Sequence, residues 1–333
     1  MHNSIFFYSI LCFLLLLSIA LISYKLNLVD LPNKRKIHSR PTAHTGGIAI
    51  SIIYIFAIPI FNIAGKDLNL ILSIGFLIAV LGLIDDNYNL NVGGKLSLQI
   101  IPIFYLIVFE NMGLTQIGDY NWFSLNLGTF SIPFTLISVL FLINSFNYFD
   151  GADGLLSSVS ISVLAILYFL TSDENTKMFL IIIIVPICIF LCFNFALFKL
   201  PKLFLGDSGS LLLGFIIAFI IIHLANQKIV HPILLAWSIQ IFVYEFISIN
   251  LIRLKNKKGL FKAGRDHLHH SLINKTKSNS LTVLLLSFFN LTLFVIGYLT
   301  FKFINPLTSL IFFIVFFIVF FIVRDKYFNF KNR

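Results

Sequence analysis

The chain is 333 residues long, 58% hydrophobic and only 11% charged, with a mean hydropathy of +0.96. A water-soluble domain carries about 25% charged residues and a disordered chain is poor in aromatics, so a sequence with 39 phenylalanines is neither. A net charge of +10 raises nucleic acid as a partner, but the placement of the basic residues argues for membrane topology instead.

Unbroken apolar runs, as at 10–22, 179–193 and 310–323, have helix length. They lack the alternating pattern of about ten residues that marks a transmembrane barrel. Reading such runs against a span of about 20 residues predicts eleven transmembrane helices. They lie at 4–24, 48–64, 68–84, 98–111, 131–147, 154–171, 177–193, 208–224, 231–251, 281–300 and 303–323. The first run has no basic n-region and no small-residue cleavage site, and a basic loop follows it, so it reads as an uncleaved helix. Cys12, Cys188 and Cys192 all fall inside apolar runs, with neither metal spacing nor a disulfide framework. The expected fold is all-α and polytopic, a single membrane domain over residues 1–333. Its catalytic loops are placed at about 25–47, 85–97, 144–155, 194–210 and 253–279.

These helices divide the loops between two sides, and twenty of the 24 Lys and Arg residues fall on one of them. The bias in Lys and Arg makes that side cytoplasmic, with the N-terminus outside and the C-terminus inside. Carboxylates beside hydrocarbon are expensive and therefore informative. Asp85 and Asp86 end the third helix, Asp150 and Asp153 lie in Asn-Tyr-Phe-Asp-Gly-Ala-Asp-Gly, and Asp207 lies in Gly-Asp-Ser-Gly-Ser. All five fall on the cytoplasmic side, as do His267, His269 and His270. Asp150 and Asp153, three apart, share a face if the segment is helical, while Asp-Gly also marks an ordinary turn, and Gly206–Ser210 could serve as an N-cap. His223 and His231 read as interfacial residues.

Clustered carboxylates repel one another unless a cation neutralises them, and an oxygen-rich cluster suits Mg²⁺ or Mn²⁺. Glycines at 151, 154, 206 and 209 let backbone approach a ligand, and Lys95, Arg265 and the histidines add positive donors. Together these describe a phosphoryl-transfer site with a lipid reactant. An ion-coupled transporter is the rival, but its charges belong near the bilayer midplane. A non-catalytic scaffold has no reason to gather five aspartates and three histidines.

Taken in order, the motifs resemble the bacterial polyprenyl-phosphate N-acetylhexosamine-1-phosphate transferases, glycosyltransferase family 4. The resemblance rests on Asp30-Leu-Pro-Asn-Lys-Arg-Lys-Ile-His38 with Pro41 and Gly46-Gly47, then Asp85-Asp86, then Asn144-x-x-Asn147-x-x-Asp150-Gly-x-Asp153-Gly-Leu155. It closes with Gly206-Asp207-Ser-Gly-Ser210 and His267-x-His269-His270. The last motif is similar to the O-antigen and common-antigen branch rather than the peptidoglycan branch. Asn89, Glu245 and Gly264 depart from residues frequent in the family.

The resemblance implies transfer of an amino-sugar 1-phosphate from a UDP-sugar to undecaprenyl phosphate, releasing UMP and starting a lipid-linked surface glycan such as lipopolysaccharide O-antigen. It implies Mg²⁺, with Mn²⁺ as the substitute, held by Asp207 and Asp150. Asp85, Asp86, Asp150, Asp153, Asp207, His267, His269 and His270 would be catalytic. Gly46, Gly47, Lys95, Asn147, Asn194 and Arg265 would bind substrate. The location implied is the bacterial inner membrane with the site facing the cytoplasm; a homodimer is left open, and nucleic acid is not a partner.

Overall fold

The structure, a computed structural model, describes residues 2–32, 40–61, 63, 65–257, 259 and 267–327. Arg265, expected to bind substrate, and most of the first-loop motif, including His38, lie outside the described residues.

In chain order the elements are α1 (His2–Lys25), β1 (Val29–Asp30), β2 (Thr42–Ala43), α2 (Gly46–Phe61), α3 (Lys66–Tyr88) and α4 (Val92–Val108). There follow β3 (Gln116–Asp119), β4 (Ser124–Asn126), α5 (Ser131–Phe149), α6 (Leu155–Leu170), α7 (Glu174–Asn194) and α8 (Gly206–Asn226). The chain continues with α9 (Pro232–Ser238), α10 (Gln240–Lys255), α11 (Leu268–Thr276), α12 (Asn279–Phe303) and α13 (Pro306–Tyr327). The protein is thus all-helical apart from two small antiparallel pairs, β1 with β2 and β3 with β4.

Every one of the eleven expected apolar segments is helical, but the count of spans needs refinement. Among the described residues seven helices are long and apolar enough to cross a membrane alone, and α9 with α10 makes an eighth if the bent pair is one span. The remaining three, α2, α4 and α6, are apolar helices of 16 or 17 residues. The ninth expected helix is broken at Ile239, where its halves meet at 71°. A break leaves main-chain groups without helical partners, and α12 supplies substitutes. Asn290 donates from Nδ2 to the Ser238 carbonyl (3.3 Å) and to Ser162 Oγ (3.0 Å), while Gln240 Nε2 donates to the Asn290 carbonyl (2.8 Å).

Helix α8 is the hub. Nearly all of it is buried, whereas almost none of α13 is, and the exposed side of α13 is a continuous apolar stripe. Small residues bring the N-terminus of α8 against its neighbours. At Gly47 of α2 an added Cβ would collide with the backbone of Gly209 and Ser208, and at Gly82 of α3 with that of Ser208 and Asp207.

The helix ends sort into two groups that contact only their own kind in the polar pairs described here. At one end, Tyr24 Oη donates to the Lys202 carbonyl (2.9 Å), Lys202 pairs with Asp153 (2.7 Å), and Asn279 Nδ2 donates to the Asp153 carbonyl (2.9 Å). At the other, Thr115 N–H donates to Asn226 Oδ1 (3.2 Å) and Lys66 pairs with Glu110 (2.5 Å). His231 there caps α9, its Nδ1 accepting from Ile233 N–H (3.2 Å), and its Nε2 lies 2.9 Å from the Asp119 carbonyl oxygen.

Candidate active site

The site is assembled at the first end, around the first turn of α8. The chain reaches that turn through a strap in which Phe204 N–H donates to the Ala43 carbonyl (2.8 Å). Gly46 and Gly47 then donate to the Phe204 and Leu205 carbonyls (3.0 and 2.9 Å). Both glycines are buried and their N–H groups are occupied. Expected to bind substrate and to let the first loop pack closely on the site, they dock α2 on α8. Asn194, also expected to bind substrate, is 3% exposed, and its Nδ2 donates to the Leu203 carbonyl (2.8 Å), fastening the end of α7 to the same strap.

Asp85 and Asp86 lie in the last turn of α3, which runs four residues beyond the expected end. The turn closes on Asn89 in the left-handed region (φ 49°), a conformation asparagine tolerates. Asp85 is buried; its Oδ1 accepts from Leu90 N–H (2.9 Å) and its Oδ2 pairs with Lys95 (2.6 Å). Asp86 caps α8 from a neighbouring helix, accepting from the N–H groups of Asp207 (3.1 Å) and Ser208 (3.4 Å). That replaces the N-cap role considered for Gly206–Ser210, since α8 has no side-chain cap of its own and Asp207 already lies in its first turn. A carboxylate at a helix N-terminus is favoured by both the free N–H groups and the dipole.

Asp207 projects from that turn into a polar ring. Lys95 of α4 reaches its Oδ2 at 2.5 Å, Asn147 Nδ2 donates to its Oδ1 at 2.8 Å, and the same Nδ2 reaches Ser210 Oγ at 2.9 Å. Lys95 thus lies between two carboxylates rather than standing free as an anion donor. Asp150 follows α5 as its C-cap residue, and Asp153 lies in the turn between α5 and α6. Of the two readings, a shared helix face or an Asp-Gly turn, the structure has the turn: Asp150 lies near enough to Asp207 to feel its charge, and Asp153 pairs with Lys202. Burial, with the charges of Asp207 and Asp153 added to it, pushes the Asp150 carboxyl up to about 8.

The histidines arrive on α11, a short helix that hydrophobic periodicity does not announce. His269 is 1% exposed, and neither ring nitrogen has a hydrogen-bond partner. Its Nε2 packs on Gly151, where any Cβ would overlap the ring. Burial first, then the charges of His270, His267 and Arg324, hold its pKa well below the usual imidazole range, so it is neutral. His267 stacks with His269 (5.5 Å between centroids) and packs edge-on to Tyr148, while His270 lies 4.2 Å from His269. Two partners were not foreseen: Lys202, which pairs with Asp153, and Glu245, read only as a departure from pattern.

Among the described residues no three side chains of His, Cys, Asp or Glu come together as a cation site by themselves. Mg²⁺ characteristically takes one or two carboxylates and completes its shell with phosphate and water. Asp85 and Asp207 share the ammonium of Lys95, and the carboxyls of Asp86 and Asp150 lie close enough to Asp207 to feel its charge. Clustered carboxyls of this kind repel one another unless a cation neutralises them, so the donor set fits a divalent cation.

Residues 68–225 match the family described as glycosyl transferase family 4. An undecaprenyl-phosphate alpha-N-acetylglucosaminyl 1-phosphate transferase of Escherichia coli O157:H7 is 27% identical over 259 residues, which is 76% of this chain and 71% of that protein. Its namesake from Yersinia pestis is 29% identical over the same shares. A probable undecaprenyl-phosphate N-acetylglucosaminyl 1-phosphate transferase of Bacillus subtilis (strain 168) is 28% identical over 272 residues, 80% of this chain and 75% of that one.

Proposed function

We infer that this chain, which belongs to glycosyl transferase family 4, transfers an N-acetylhexosamine 1-phosphate from a UDP-sugar to undecaprenyl phosphate and releases UMP. The observation that carries the reading is the meeting of Asp85, Asp86, Lys95, Asn147, Asp150 and Asp207, from four separate helices, on the first turn of α8.

The reaction forms a bond between an acceptor phosphate oxygen and the β-phosphorus of the sugar nucleotide. The bridging α–β P–O bond breaks, and its electron pair leaves on UMP. A phosphate monoester has its second pKa near 6, so the lipid phosphate attacks without a strong base, and Asp85 needs only to orient it. Asp207 and Asp150 would hold Mg²⁺ or Mn²⁺, whose chemistry is to neutralise charge on the diphosphate. Lys95 moves between its carboxylate partners and the diphosphate. Asn147 fixes the rotamer of Asp207, and His269, neutral and dry, offers a hydrogen bond without adding charge. Asp153 and His270 complete the sugar-nucleotide side, together with Arg265.

The same reading places the protein in the bacterial inner membrane as one domain with up to eleven crossings, the N-terminus outside and the site at the cytoplasmic face. The Lys and Arg bias supports that orientation. The test is purified protein with undecaprenyl phosphate and a panel of UDP-sugars, scored by nucleotide product and lipid mass. Release of UDP in place of UMP would overturn the reaction class.

A further inference from the structure

The helix that carries the histidines is held at its start by a side chain from outside the carboxylate cluster. His267 stands at the N-cap of α11 with no side-chain cap of its own. The vacant role is taken by Glu245 of α10, whose Oε1 accepts from the N–H of Leu268, the first residue of α11, at 2.9 Å. Glu245 is in turn gripped by Arg324 from the last turn of α13: Nε donates to Oε2 at 2.6 Å and Nη2 to Oε1 at 2.7 Å. Both side chains are 3% exposed. Two lesser contacts fasten the same turn, Lys255 Nζ to Asp325 Oδ2 at 2.6 Å and Lys275 Nζ to the Tyr327 carbonyl at 3.3 Å.

The placement is unusual for α13. Among its described residues only Ser309 and Arg324 are fully buried; Phe313, Phe317 and Phe320 pack in part on Trp237 and Tyr244, and the opposite side is exposed. Withdrawing a guanidinium and a carboxylate from water costs more than packing apolar groups of the same size, so stability alone is a poor account of the pair. What it does achieve is to fix a negative charge, with its rotamer locked by a two-pronged partner, on the N–H groups that open α11.

We propose that Arg324 and Glu245 form a latch that sets the pose of α11, and through it the pose of His269 against Gly151 and of His270 beside His269. Both are positioning residues that touch no reactant. Their bearing on turnover rests on the transferase reading above; the latch itself does not. Its consequence is that the outermost helix, whose flank faces lipid, governs alignment at the chemical centre.

The test uses the full chain in lipid nanodiscs with two conservative variants. Glu245→Gln keeps an acceptor for Leu268 but loses the charge, and Arg324→Lys keeps the charge but loses the fork. Hydrogen exchange is followed in peptides over 268–276, with peptides from α3 and α8 as internal references. Weakening a charge-assisted hydrogen bond at the helix start should accelerate exchange at 268–271 by about 10- to 100-fold in at least one variant, with α3 and α8 unchanged. kcat should fall at least tenfold, KM for the UDP-sugar should move less than threefold, and Arg324→Lys should retain more activity than Arg324→Met. Unchanged exchange at 268–271 in both variants, or equal acceleration in α3 and α8, overturns the latch. Exchange needs no substrate, so a wild-type protein that transferred nothing would defeat the proposed reaction while the latch was judged separately.

Discussion

Replacing Gly47 with alanine adds one methyl group and removes no polar atom, yet it should cripple the enzyme. The new Cβ would fall nearer than 3.0 Å to the Gly209 nitrogen, the Gly209 Cα and the Ser208 carbonyl carbon, all of them backbone. Carbon atoms rest at about 3.5 to 4.0 Å, and neither helix has a flexible side chain there to yield. Helices α2 and α8 must therefore part by on the order of 1 Å, and Asp207, two residues before Gly209, moves with them. Overpacking of this kind costs about 1–3 kcal/mol, and a displacement of about 1 Å at a reacting group can cost about 100-fold in rate. The expected result is UMP release about 100-fold below wild type, with a midpoint of thermal unfolding a few degrees lower. Gly93→Ala is the control, because its nearest neighbour is Asn91 Oδ1 at 3.5 Å, an ordinary contact. Gly47→Ala turning over at more than a third of the wild-type rate, in protein of unchanged stability, would refute the close-packing argument.

Asp207→Asn should abolish transfer while the protein still accumulates in membranes, and wild-type turnover should stop with EDTA and return with Mg²⁺; residual turnover above a few per cent in either experiment contradicts the assignment. Lys95→Met leaves Asp85 and Asp207 facing each other without their shared ammonium, so activity should fall by at least two orders of magnitude while Mg²⁺ binding tightens, as titration calorimetry would read. Asp150 carries a proton up to about pH 8, and a cation ligand must give its proton up. Mg²⁺ uptake at pH 7 should therefore release close to one proton per site and strengthen as pH rises through 8. Calorimetry in buffers of different ionisation enthalpy measures this, and a buffer-independent heat would exclude Asp150 as a ligand.

The apolar runs made the helices legible because hydrocarbon tolerates little else, whereas their ends were misjudged where polar residues continue the helix past it. Thus α3 runs on to Tyr88 through the Asp85-Asp86 pair, and α4 starts at Val92, ahead of the expected 98. The break at Ile239 has no proline or glycine to announce it; its cause is tertiary, in Ser238, Gln240 and Asn290. The gathering of the carboxylates was foreseeable from charge and topology, but their division of labour was not. That Asp86 caps another helix while Asp207 takes the ammonium depends on contacts between residues more than a hundred positions apart. The glycines were legible as places of close approach, since a residue with no side chain invites either a ligand or a second backbone, and at Gly47 it is the backbone of α8 that comes close.

The fracture between α9 and α10 bears on the transport alternative. Asn290, Gln240 and Ser162 are the kind of mid-bundle polarity from which a permeation route is usually inferred, yet here Asn290 answers the Ser238 carbonyl at the break, and Gln240 and Ser162 bond to Asn290. Amides deep in a membrane bundle can be masonry rather than conduit, and the way to tell them apart is to ask which carbonyl each one answers.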